Sequence, residues 1–162
     1  MAQFIRDNRH LPHYAPMTSA YAKAFVLGCM LLLAWSSQAQ QSETFGDYEL
    51  YYSVVNTTFL DPKVAQSYGI KRGKNNAILN LAVRENQEVG STPRPALLKG
   101  KTWDLIQNQT LEFQEVREGE AIYYIAEFKF INEEWRFFEV LFRPEDASET
   151  FTFKFKHQLY IH

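Results

Sequence analysis

A single cysteine, Cys29, stands in the 162-residue chain. One thiol builds neither a disulfide scaffold nor a cysteine-rich zinc module. Glycine and proline are scarce too, at 7 and 6 residues, which excludes collagen-like and low-complexity chains. Beyond His13 only His157 and His162 remain, and no His-x-His pair occurs. Neither a zinc nor a copper site is expected from so few nitrogen and sulfur ligands. Charge does not lean one way: 17 basic against 19 acidic residues give a net −2. A nucleic-acid module would carry a clear basic excess. Also missing are a G-x-S-x-G stretch, a phosphate loop and an oxygen-rich calcium loop with its glycine bend. No catalytic residue, metal ligand or cofactor is expected.

Aromatics make up 15% of the chain and apolar residues 46%, enough to bury a core rather than remain disordered. Residues 24–35 read AFVLGCMLLLAW, uncharged throughout. This run is shorter than the roughly 20 residues of a spanning helix but suits the apolar core of a secretory signal. Lys23 precedes it, and Ser37-Gln38-Ala39 places small residues where a signal peptidase reads. A signal helix cleaved after Ala39 is expected, with Gln40 as the new N-terminus. Residues 1–39 are then extension and signal, and 40–162 one mature domain without a membrane span. Residues 1–16 are polar and rich in His and Pro, so Met17 reads as the true start. Cys29 follows Val26-Leu27-Gly28, faintly like a lipidation box, yet the apolar run continues through Leu33 and an ordinary signal core is the reading.

The mature stretch reads as all-β. Phe151, Phe153, Phe155, His157, Leu159 and Ile161 alternate with Thr152, Lys154, Lys156, Gln158 and Tyr160, the period of a half-buried strand. Phe138, Val140 and Phe142 share one face of the strand before it. Residues 121–131 are apolar on both faces near their start, as in a central strand. Gly119 marks a hairpin between 111–117 and that strand, while Asn132-Glu133-Glu134 and Pro144-Glu145-Asp146 mark the following turns. Upstream, 48–58 places Tyr48, Leu50, Tyr52 and Val54 on one face, 76–86 places Leu79, Leu81 and Val83 on one face, and 101–106 is a weaker strand. About seven strands predict an immunoglobulin-like β-sandwich, with a closed barrel as the alternative. One short helix is expected between the first two strands, capped by Asp61, with Pro62 in its first turn and Gly69 at its stop.

Two groups of residues remain as candidates for function. Tyr51, Tyr123, Trp135, Phe137 and Tyr160 are left on the outward faces of their strands. Exposed aromatics in a group mark binding surfaces. Between residues 56 and 80, Asn56, Thr58, Tyr68, Arg72 and Asn75 combine turn formers with side-chain donors. They form either a small polar site or a loop that satisfies its own backbone. His157 reads as a rim histidine. The carboxylates Glu112, Glu115, Glu118, Glu120, Glu133 and Glu134 read as solvated strand ends.

The run from Asn56 to Asn80, NTTFLDPKVAQSYGIKRGKNNAILN, resembles a family of periplasmic proteins of Gram-negative bacteria known as domain of unknown function 4426. The likeness extends over nearly all the mature chain and departs at Gly73, where serine is expected. It implies a cleaved signal, a periplasmic location and one β-sandwich, and it brings no activity. The function expected is a non-enzymatic periplasmic module that binds an envelope protein or component through the aromatic sheet face or through the Asn56–Asn80 end. The alternative is a small-ligand carrier in which Arg72 holds an anionic group.

Overall fold

The computed structural model describes residues 41–161. The expected signal, its cleavage point at Ala39–Gln40, the Met17 start and His162 lie outside the described residues. Among the described residues no helix is long and apolar enough to cross a membrane.

The described residues hold ten strands rather than about seven: β1 (Gln41–Phe45), β2 (Tyr48–Asn56), β3 (Asn76–Asn86), β4 (Ser91–Pro93), β5 (Ala96–Trp103), β6 (Asn108–Leu111), β7 (Gln114–Glu118), β8 (Ala121–Lys129), β9 (Glu134–Pro144) and β10 (Phe151–Leu159). They form two antiparallel sheets, and the barrel alternative is excluded. One sheet runs β1-β2-β3-β8-β7 with β4 added against β3; the other runs β10-β9-β5-β6. The chain builds β1–β4 in the first sheet, crosses for the β5–β6 hairpin, returns for β7–β8 and crosses again for β9–β10. A 3-10 turn (Thr57–Phe59) and the helix α1 (Pro62–Ser67) join β2 to β3. Asp61 caps α1, accepting from the amides of Lys63 at 2.8 Å and Val64 at 3.4 Å.

The alternation expected from the sequence sets the inward faces. Leu50, Leu79, Leu81, Val83, Phe138, Val140 and Phe142 are fully buried in a single core, against which Tyr48, Tyr52 and Val54 pack. The Phe138 and Phe155 rings stack at 4.5 Å across the β9–β10 pair. A smaller cluster lies on the other side of the first sheet, where Ala65 and Ile70 of the α1 segment cover Ile78.

Three differences from the sequence reading have physical causes. β1 was missed because Gln41–Phe45 carries one apolar side chain, Phe45, at an edge that hydrogen bonding to β2 secures. Residues 111–117 are two strands in different sheets: Leu111 packs inward on β6, and the chain crosses at Glu112-Phe113 before β7 pairs with β8. The β7–β8 hairpin itself turns at Gly119 as expected, with φ +60, a conformation glycine adopts without strain. Finally, the strand placed at 101–106 is β5, which ends at Trp103 and leaves Leu105 and Ile106 in a turn.

Candidate functional site

The segment from Asn56 to Asn76 holds itself together. The Thr57 hydroxyl, wholly buried, lies 3.2 Å from the Gly73 carbonyl and 3.1 Å from that of Asn76, and it accepts from the Gly73 amide at 3.0 Å. Arg72 folds back on the 3-10 turn, with Nε 3.2 Å from the Thr57 carbonyl and Nη2 2.9 Å from that of Thr58. Asn56 donates to the Tyr160 carbonyl at 2.6 Å and Asn75 to the Phe130 carbonyl at 3.1 Å, tying the segment to the C-terminal strand and to the end of β8. Thr58 keeps a buried hydroxyl with no partner. Gly73 leaves room that a Cβ would share with the Asn76 side chain at 3.0 Å.

Tyr68 stands apart from the other four polar candidates. Its hydroxyl donates to Glu118, and the pair borders an open cleft of about 410 Å³ between α1 and the outer face of the first sheet. Ile78 and Asn80 also line this cleft, and the Asn80 side-chain carbonyl is buried without a partner. Asn56, Thr58, Arg72 and Asn75 do not line it.

Four of the five aromatic candidates divide between the outer faces of the two sheets. Tyr51 and Tyr123 lie outward on the first sheet, beside Ala82 and Arg84, with the Tyr51 hydroxyl on Glu49 at 2.8 Å. Trp135 and Phe137 lie outward on the second sheet. Tyr160 follows β10, its side chain exposed and its carbonyl held by Asn56.

The outer face of the second sheet carries more than these two rings. The strand registers align Lys154, Glu139 and Lys101 in one row, and Lys156, Phe137 and Trp103 in the next. Trp103 stacks on Phe137 at 5.8 Å. Lys101 sits over the Trp103 ring at 5.4 Å and Lys156 over Trp135 at 4.8 Å, within reach of cation–π attraction. Glu139 pairs with Lys154 at 2.8 Å and Lys101 at 3.0 Å. Hydrogen bonds from Lys154 and then Lys101 hold its carboxyl below the ordinary range. The same alternation turns Lys99 and Arg143 outward on this face.

One end of this face is fixed by a buried cation. Arg136 lies on the inward side of β9 and is only 2% exposed. Its Nε is 3.1 Å from the Thr102 hydroxyl, and its Nη1 is 2.7 Å from Glu134 and 3.2 Å from Asp104. Glu134, read from sequence as a solvated turn carboxylate, is instead an ion-pair partner of this arginine because the start of β9 brings it over the same edge. Asp104 accepts from the amides of Gln107 at 2.7 Å and Ile106 at 2.6 Å. These bonds, with Arg136 adding its charge, hold the Asp104 carboxyl low. The turn so fixed presents Leu105 and Ile106 at 98% and 86% exposure. Together with Ile131, Trp135, Phe137 and Lys156 they line an open, mostly apolar cleft of about 510 Å³, with the Arg136-paired carboxylates Asp104 and Glu134 on its wall.

The sequence reading missed Lys101, Trp103, Leu105 and Ile106 as surface residues. The spacing of Lys99, Lys101 and Trp103 held the signal, but it is legible only once the strand is known to start at Ala96. His157 lies at the open edge beside Tyr52, and desolvation lowers its pKa. Among the described residues no three His, Cys, Asp or Glu side chains gather as metal ligands would.

The model of the family described as a domain of unknown function, DUF4426, matches residues 42–162. The chain belongs to the DUF4426 family. A solved DUF4426 family protein from Pseudomonas aeruginosa PAO1 is 30% identical and superposes with a TM-score of 0.67, over 78% of this chain and 98% of that one. FetP from uropathogenic Escherichia coli strain F11 is 10% identical, with a TM-score of 0.57 over 76% of this chain and 95% of that one. A copper-bound variant of FetP has a TM-score of 0.56. At that identity FetP is similar to the DUF4426 domain in fold alone. No curated protein matches the chain.

Proposed function

We propose that this DUF4426 domain is a non-enzymatic binding module of the Gram-negative periplasm, delivered by a signal cleaved between Ala39 and Gln40. Its scaffold is an immunoglobulin-like sandwich, and it engages a component of the cell envelope through the outer face of the β10-β9-β5-β6 sheet. One observation carries this reading: that face sets Trp103, Trp135 and Phe137 among Lys101, Lys154 and Lys156, with Glu139 already paired to two of the lysines. Aromatic rings between cations offer contact area and charge selection together. A variant of the fold-level neighbour FetP is copper-bound, but the described residues here include His157 as their one histidine and no methionine. Copper is therefore not carried over.

The test is crosslinking in intact cells, followed by capture of the tagged protein. Trp135→Ala with Tyr160→Ala is expected to weaken capture of the envelope component while the domain keeps its melting temperature. Undiminished capture would overturn the assignment to this face.

A second reading is favoured by the cleft at Tyr68, where the Asn80 carbonyl lacks a partner. A small ligand with a hydrogen-bond donor and an apolar body suits these walls. A ligand retained in native mass spectrometry and lost in Asn80→Ala supports it. A ligand lost in Arg72→Ala but kept in Asn80→Ala would instead return the site to the polar loop.

A further inference from the structure

We propose that the corner formed by the β5–β6 turn and the outer face of the second sheet docks on the surface of a bilayer containing anionic phospholipid. This rests on the reading that the second sheet's outer face is the binding surface, and it names the chemistry of the occupant. Removing Arg6, Arg9, Lys23 and Asp7 with the signal leaves 14 basic against 18 acidic side chains. The mature domain is therefore acidic as a whole. Yet Lys99, Lys101, Arg143, Lys154 and Lys156 stand on this one face against Glu139. Such segregation selects an anionic occupant.

The turn selects the rest of the chemistry. Leu105 and Ile106 project almost fully from the fold, while Asp104 bonds both following amides and is itself anchored to buried Arg136. The tip is a held structure that presents two aliphatic side chains. Ile131 and Trp135 are exposed at the same corner, and Lys156 lies over the Trp135 ring. Aliphatic side chains outermost, then a tryptophan, then lysines is the depth order of a bilayer surface: acyl chains, interface and phosphate. An acidic protein would satisfy the lysines, but it would need its own pocket for Leu105 and Ile106. A lipid surface receives both without one.

The test is flotation of purified residues 40–162, which contain the whole two-sheet core. One set of vesicles holds equal parts phosphatidylethanolamine and phosphatidylglycerol; the other holds phosphatidylcholine alone. The domain is expected to float with the anionic vesicles, to stay down with the neutral ones and to release at high salt. Leu105→Ser with Ile106→Ser is expected to lower partitioning about tenfold or more. Lys154→Glu with Lys156→Glu is expected to lower it by on the order of fivefold per lysine. Val89→Ser removes an equally exposed apolar side chain from a different turn and should change nothing. All these positions are exposed, and unchanged melting curves confirm that each variant folds. No flotation with anionic vesicles overturns the proposal, as does equal loss in Val89→Ser. If flotation fails while an envelope protein is captured in a manner that Lys154→Glu with Lys156→Glu abolishes, the lipid is wrong and the binding face stands. If neither depends on this face, both readings fall.

Discussion

Arg136 and Asp104 meet at the foot of the β5–β6 hairpin, Nη1 to Oδ2 at 3.2 Å, with side chains only 3% and 10% exposed. The pair connects the inward face of one strand to the turn that projects the most exposed leucine of the fold. Removing one partner of a sealed ion pair leaves the other charge desolvated. Arg136→Leu is therefore expected to destabilise the domain by about 3–5 kcal/mol. Urea unfolding measures it. The exposed Arg117–Glu115 pair is the control, since Arg117→Ala should be nearly silent. Equal losses from the two variants would contradict the role given to Arg136.

Gly100 makes a different demand. A Cβ there would lie 2.9 Å from the Phe113 ring and 3.2 Å from Leu111. Phe113 stands half-buried where the chain crosses between sheets, and its ring must shift to admit a methyl group. Gly100→Ala is expected to cost about 1–3 kcal/mol through overpacking. Gly100→Ala combined with Phe113→Leu should recover part of that loss in the same unfolding assay. A stable single variant would show that the crossing is loosely packed.

The buried Thr57 hydroxyl serves as a bracket for the 56–76 segment. Thr57→Val keeps the shape but leaves the Gly73 amide without its acceptor. The expected loss is about 1–3 kcal/mol, with faster amide exchange at Gly73 measured by NMR. Unchanged exchange would show that water replaces the hydroxyl.

His157 introduces a pH dependence. Desolvation lowers its pKa from the ordinary 6.5, so the unfolded chain takes up a proton at a pH where the folded chain does not. Stability from this residue is thus unaffected well above about pH 6.5 and falls as the pH drops through the interval below it. Tyr52 in the same cleft stays neutral throughout, its own pKa raised by burial and by Glu43. His157→Gln is expected to flatten part of the slope of urea midpoint against pH between about pH 7 and pH 5. Identical slopes in the two proteins would contradict the assignment.

Much of the fold is legible wherever apolar residues keep strict period two. Phe138, Val140 and Phe142, or Leu79, Leu81 and Val83, declare their buried face without reference to any neighbour. Legibility fails where pairing rather than burial makes a strand. Gln41–Phe45 is such a case, secured by hydrogen bonds to β2 that no single-segment pattern reveals. It fails again at residues 111–116, where Leu111 and Phe113 are spaced by two but Val116 follows at three. That phase slip is the crossing between sheets, and it resembles an ordinary bulge in a single strand. The surface was half legible. Alternation put Trp135 and Phe137 on one outward face, but it could not separate them from Tyr51 and Tyr123. Which sheet a strand joins is a long-range fact. The sequence grouped Asn56, Thr58, Tyr68, Arg72 and Asn75 by their spacing, but the directions of their side chains are long-range facts: Asn56, Arg72 and Asn75 donate to backbone carbonyls, while Tyr68 turns to Glu118.

The central claim is that the β10-β9-β5-β6 face, and not its opposite, is the contact surface. Its most direct test is a photo-crosslinking amino acid placed at Trp135 or, on the opposite sheet, at Tyr123, with irradiation of intact cells. The account expects discrete adducts, to lipid or to protein, from position 135 and none from position 123. Adducts from position 123 with none from position 135 would contradict it.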